Sequence, residues 1–393
     1  MSRQWTLAAL VFLIPTGVLA APPKGQPREM AGLTAAIFSD HMVLQRDLEV
    51  PVWGTTQPGG TVTVTFMKQT KTAKADAAGR WMVKLDKMPA VSQPQEMTVK
   101  DATETRAFKD VLVGEVWLCS GQSNMEWGSD WSDAVKKRKY GMKEGDPPTA
   151  VMGGKVDAKT KAVLRRAIGN DKIRVSSKTR DHLITKNFGW ELVDEKNVIT
   201  LAALAGCVAV HLQEALDVPV GIIVRSESGT ALIEWIDLES FKADPLVKAS
   251  IERQIEKTGK GGGPTETPGA KWQHYVAATV PYGIRGVLWD QGEWGVGFKG
   301  VGWPPAMHAL ITTWRKTWGQ GDFPWSATDR YGKENNLAQA LAGHGIAGFT
   351  VTKNPPVTAG GLHPVNKEDF AQRHIDNILP QVYGRPAPQW GRK

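Results

Sequence analysis

Cysteine is nearly missing from this chain: Cys119 and Cys207 are the two among 393 residues. Two thiols in separate apolar runs build no disulfide framework, and each behaves as a small buried hydrophobe. A second long apolar run is missing too. After the opening Leu7–Pro15 stretch, no segment approaches the ~20 residues that a spanning helix needs, which argues against a helical membrane span. Zinc-finger and RNA-motif spacings are also absent. The formal net charge is +8, but Lys and Arg are spread out, with only short clusters such as Lys136-Lys137-Arg138-Lys139. That pattern argues against a nucleic-acid partner and leaves only a general attraction for anionic substrates or surfaces.

What is present begins with an address. Residues 1–20 combine a basic start at Arg3, the short apolar core, and small residues Val18 and Ala20 before an expected cut. This reads as a secretory signal peptide, so the mature chain is expected to be exported, to the periplasm or the cell exterior. The remainder, about 370 residues, is long enough for two domains by the usual length prior.

Residues 30–108 alternate short β-rich runs with turn chemistry, as in Thr61–Phe66 after Gln57-Pro58-Gly59-Gly60 and Trp81-Met82-Val83 after Ala77-Ala78-Gly79-Arg80. Such spacing predicts a small antiparallel β-sandwich. From 109 to 385 the pattern changes to apolar strands alternating with helices: a strand over 112–119, a helix over 201–216, strands over 218–225 and 284–290, and a helix over 305–318. That alternation predicts an α/β domain with a doubly wound parallel sheet. Residues 128–185 are expected to be an insertion over one rim, with a helix over 158–168, and 257–269 a flexible loop.

The apolar run 112–119 stops abruptly at Gly121-Gln122-Ser123-Asn124. A strand that ends in a tight glycine turn can present one hydroxyl, here Ser123, at the carboxyl edge of a sheet, where open α/β folds place ligands. Read with its flanks, the segment resembles the nucleophile block of the sialate O-acetylesterase-like family of SGNH (GDSL-like) hydrolases. Three further blocks carry the resemblance. Gly360-Gly361-Leu362-His363-Pro364-Val365-Asn366-Lys367 is similar to the family's base-bearing block, Ser226-Glu227-Ser228-Gly229-Thr230 to its Gly-Gly-Thr turn, and Asp290-Gln291-Gly292-Glu293 to its Trp-Tyr-Gln-Gly-Glu block. The segment 310–324 adds a helix and loop match.

The resemblance implies a serine esterase that removes O-acetyl groups from carbohydrates without a metal or organic cofactor. Ser123 would be the nucleophile and His363 the base. The oxyanion donors would be the backbone N–H groups of Ser123 and Gly229 and the side-chain amide of Gln291. Glu293 would brace the loop, and the other seven histidines would be structural or surface residues. Two departures stand out. Glycines occupy the positions before His363 where the family carries an orienting Asp, so a distant carboxylate such as Asp329, a backbone carbonyl or a Ser–His dyad must serve instead. Trp294-Gly295 replaces the family's Ser-Asn, and the match thins at Ser326-Ala327-Thr328-Asp329. An impaired carbohydrate-binding protein with the same cleft is the alternative expectation, and a glycosidase built on Asp290 and Glu293 ranks behind it. The sequence leaves the oligomeric state open.

Overall fold

The computed structural model describes residues 32–128, 156–179, 188–329, 337–353 and 363–390. The expected signal segment, Trp131 and His182 in the expected insertion, and Gly360-Gly361 lie outside the described residues. In chain order the strands are β1 (Val43–Gln45), β2 (Val50–Thr55), β3 (Thr61–Phe66), β4 (Gln69–Lys74), β5 (Arg80–Leu85), β6 (Val91–Lys100), β7 (Thr105–Gly121), β8 (Ile173–Thr179), β9 (Glu191–Leu192), β10 (Val220–Ser226), β11 (Gly286–Asp290), β12 (Trp325–Asp329) and β13 (Phe349–Lys353). The helices are α1 (Ser123–Glu126), α2 (Ala158–Arg165), α3 (Ala203–Leu216), α4 (Leu238–Ala243), α5 (Pro245–Thr258), α6 (Trp303–Trp318), α7 (Leu337–Gly343) and α8 (Lys367–Tyr383). No helix among the described residues is long and apolar enough to cross a membrane.

β7 organises the molecule. Its first half pairs antiparallel with β6, through contacts such as Met97 with Phe108, and parallel with β1. Its second half is flanked by parallel β10 and β11, so the sheet is mixed. The expected division at 108/109 therefore falls inside a single strand. The reason lies in side-chain pattern: Thr105–Asp110 is partly exposed while Val111–Gly121 is wholly buried, so the sequence changes character where the backbone ladder does not.

The parallel part runs β13-β12-β11-β7-β10-β8, with β9 antiparallel at the far edge. After β7 the chain fills one side with β8 and β10, then crosses to fill the other with β11, β12 and β13. Side chains alternate across the pleat with period two. Val116, Leu118, Ile223, Val287 and Trp289 therefore join one core with Leu310, Ile311 and Trp314 of α6. Their neighbours Trp117, Cys119, Ile222, Val224 and Leu288 join the other, with Leu204, Cys207 and Val208 of α3 and Phe370 and Ile375 of α8. Both faces are covered, as parallel sheets require, and the central strands are consequently rich in apolar residues. The carboxyl ends of β7, β10 and β11 are left as the edge where polar side chains converge.

The amino end is closed by a buried carboxylate. Glu115 accepts from Arg46 Nε and from Arg285 Nε at 2.7 Å, and the Tyr383 hydroxyl donates to it at 2.9 Å. One side chain on β7 thereby ties the segment after β1, the entry to β11 and the end of α8.

Candidate active site

The turn after β7 is fixed by its backbone. Gly121 has φ +130°, and a Cβ there would stand 2.0 Å from the carbonyl oxygen of Asp290, so only glycine lets β7 and β11 run side by side to this point. Gln122 N donates to that same Asp290 oxygen at 2.9 Å, and the Gln122 carbonyl accepts from the N–H groups of Met125 and Glu126. Ser123 is thus the first residue of α1, where a backbone N–H has no intrahelical acceptor.

His363 lies 240 positions away in sequence, and its Nε2 is 2.8 Å from Ser123 Oγ. It lies four residues before α8, whose Lys367 Nζ donates to Asn124 Oδ1. On the other side, Glu293 accepts from Gln122 Nε2 and, at 2.7 Å, from Asn124 Nδ2. The residues before and after Ser123 are therefore both held by one carboxylate, and the second is held by a cation as well. Sequence reasoning gave Asn124 and Lys367 no role, although both are fixed letters of the blocks that drew attention to Ser123 and His363.

Gly229 follows β10 in a turn with φ +72°, and a Cβ built on it meets nothing within 4 Å. Its glycine character therefore comes from the left-handed backbone and not from close packing. Gln291 is fully buried, and its Nε2 donates to the carbonyls of Thr230 at 2.9 Å and Gly295 at 3.1 Å. This side chain binds the turn after β10 to the loop after β11, and both its amide hydrogens go to backbone oxygens. The segment expected to be a flexible loop is joined there too: Thr265 N donates to Gly297 O at 2.8 Å and Lys299 N to Gly263 O at 2.9 Å, while α5 extends through Thr258.

Other titratable groups are engaged elsewhere. His211 meets Glu368 at 2.9 Å, His308 meets Asp244 at 2.6 Å, and His374 lies 2.8 Å from Ser326 Oγ and 3.2 Å from Thr328 Oγ1. Burial pushes the thiols of Cys119 and Cys207 up, which makes both poor nucleophiles. Asp290 is buried with its Oδ2 accepting from Thr328, and Glu293 accepts from the two amides. Burial first, with Glu266 and Glu227 nearby, raises Glu234 despite a hydrogen bond from Ala231 N and the charge of Lys271. Of the tryptophans near the blocks, Trp235 is fully buried and Trp127 nearly so, whereas Trp294 is 60% exposed and lies directly after Glu293. Asp329 ends β12, two strands from β7 on the same carboxyl edge.

No family model matches the sequence. The chain is similar to the sialate O-acetylesterase of Homo sapiens, 25% identical over 89% of this chain and 71% of that protein. It is similar also to the Mus musculus protein of the same name, 25% identical over 76% of this chain and 58% of that one. In structure it resembles a carbohydrate acetylesterase from Xanthomonas citri, with TM-score 0.66, 23% identity, and coverage of 89% of this chain and 75% of that one.

Proposed function

We propose that this chain is a carboxylic ester hydrolase of a sialate O-acetylesterase-like family and that it removes acetyl groups from a carbohydrate by a serine mechanism. The observation that carries this reading is the 2.8 Å contact between Ser123 Oγ and His363 Nε2 at the carboxyl edge of the sheet. As Oγ attacks the acetyl carbonyl carbon, Nε2 takes its proton, and the carbonyl oxygen becomes an oxyanion. The N–H groups of Ser123 and Gly229 donate to that oxygen, each contributing on the order of 3 kcal/mol if typical of such donors. Gln291 fixes the turn that carries Gly229. To serve as a third donor, as the family resemblance implies, it must release Thr230 O or Gly295 O.

Collapse of the tetrahedral species breaks the bond to the sugar oxygen, which takes the proton back from His363 and leaves an acetyl-enzyme. Water then attacks with His363 again as base, the bond between Ser123 Oγ and the acyl carbon breaks, Oγ takes the proton back from His363, and acetate departs. Trp294, exposed beside the nucleophile turn, is the aromatic face on which a sugar ring would stack. The signal-like residues 1–20 make an exported protein part of the same proposal, and the N-terminal β-rich region is read as its supporting module.

Acetate release from O-acetylated sialic acid, from acetylated xylan and from an aryl acetate tests the proposal. Release from at least one of the carbohydrates, abolished in Ser123→Ala, is the expected result. Glycan binding without any acetate release would mean a binding protein that uses the same cleft.

A further inference from the structure

His363 is held on the face of its ring as well as through Nε2. The Trp127 indole stacks on the imidazole with centroids 4.0 Å apart and planes 28° from parallel. Indole Nε1–H donates to Ser228 Oγ at 2.8 Å, and that hydroxyl donates to Glu126 Oε2. The same carboxylate oxygen accepts the Ser228 backbone N–H at 2.6 Å. Glu126 closes the helix that Ser123 opens, and Ser228 directly precedes Gly229. One short chain of contacts therefore joins the nucleophile helix, the turn of Gly229 and the imidazole. The glycine that the resembling turn carries at position 228 has no hydroxyl with which to make this link.

We infer that Trp127, clamped by Ser228 and Glu126, is the positioning residue of the base: it fixes the imidazole plane against Ser123 and stabilises the imidazolium formed when the serine proton is taken. The inference rests on the roles proposed for Ser123 and His363. The second χ angle of a histidine is broad, and an indole stacked on the ring face narrows it. An indole face carries negative quadrupole density, which attracts a cation more than a neutral ring. The contact therefore strengthens as the proton arrives, which is the condition for lowering a barrier and not merely binding a ground state. Hydrogen bonding from the indole to a hydroxyl already turned toward a carboxylate polarises the set in the same direction.

Trp127→Leu, Trp127→Phe and Ser228→Ala, compared with the parent protein, separate this role from simple packing. Two readouts are used: the titration of the His363 ring C–H by NMR, assigned with His363→Ala, and kcat and KM for an aryl acetate against pH. Charged groups on the surrounding elements, Glu126, Arg225, Glu227, Asp290, Glu293 and Lys367, are unchanged in all three variants. A lost cation–π contact corresponds to about two- to thirtyfold, so in Trp127→Leu kcat falls by about that factor and His363 titrates at lower pH. Trp127→Phe keeps an aromatic face and falls between, and Ser228→Ala lowers kcat several-fold with little change in KM. An unmoved His363 titration in the folded variants overturns the inference, whether or not turnover changes. Shifted titrations in a protein that hydrolyses no ester would confirm that the indole stabilises the imidazolium but refute the esterase reading, and with it the positioning role that rests on it.

Discussion

Replacing Glu293 by alanine is expected to slow turnover far more than it destabilises the fold. Its two oxygens accept from Gln122 Nε2 and Asn124 Nδ2, the side chains on either side of Ser123. Hydrogen bonds to a charged group are worth about 1.5–3 kcal/mol each, but Glu293 is half-buried and water replaces part of what is lost. A net of about 1–3 kcal/mol remains, which is about 5- to 150-fold in rate if it is felt at the nucleophile. Little of it should appear as unfolding, because Gln122 N still donates to Asp290 O at 2.9 Å and Lys367 still holds Asn124. Steady-state kinetics on an aryl acetate, paired with calorimetric melting, separate the two effects. Glu293→Gln keeps one acceptor but sets an amide against an amide donor, so it should recover only part of the rate. Wild-type kcat in both variants would refute the reasoning, since the turn would then hold Ser123 unaided.

Burial works to raise the Glu115 carboxyl, but the hydrogen bonds and charges of Arg285 and Arg46 outweigh it and hold the group below the ordinary carboxylate range. A lowered folded value means that its contribution is full above the unfolded carboxyl range near 4.3 and is lost as pH falls through the folded value. Glu115→Gln should therefore cost about 3 kcal/mol in denaturant unfolding at neutral pH, with a gap from wild type that narrows in acid; a gap constant with pH would refute the linkage. Trp294→Ala should raise KM for an acetylated oligosaccharide about two- to twelvefold through lost stacking, and leave aryl acetate turnover within about twofold. Equal losses on both substrates would sink the idea that this side chain reads the sugar.

Much of the sheet was legible because its residues obey local rules. A mostly apolar run ending at Gly121 reads as a buried strand that stops at a left-handed turn, and the helices over 203–216 and 303–318 follow from their length and apolar content. What was not legible depends on partners. Thr105–Asp110 looks like the end of one module, yet it continues the β7 ladder because β6 and not the hydrophobic pattern decides its pairing. Trp325–Asp329 departs from the family pattern, yet it forms a strand because β11 and β13 lie on either side. At the candidate site, Ser123 and His363 are expected from motif letters alone, and their side chains meet at 2.8 Å. The Lys367–Asn124 tie spans 243 positions and the Trp127–Ser228 bond spans 101, and neither leaves a local signal. Gln291 was expected to aim a donor at substrate; its surroundings supply two carbonyl acceptors that no sequence pattern foretells.

Covalent labelling with an aryl fluorophosphonate, mapped by peptide mass spectrometry, tests the central claim most directly, because it reads the reactivity of one hydroxyl without assuming a natural substrate. The account predicts a single adduct on Ser123, formed faster as pH rises through the titration of His363 and lost in His363→Ala. An adduct on another residue, or labelling of Ser123 that His363→Ala leaves unchanged, would contradict it.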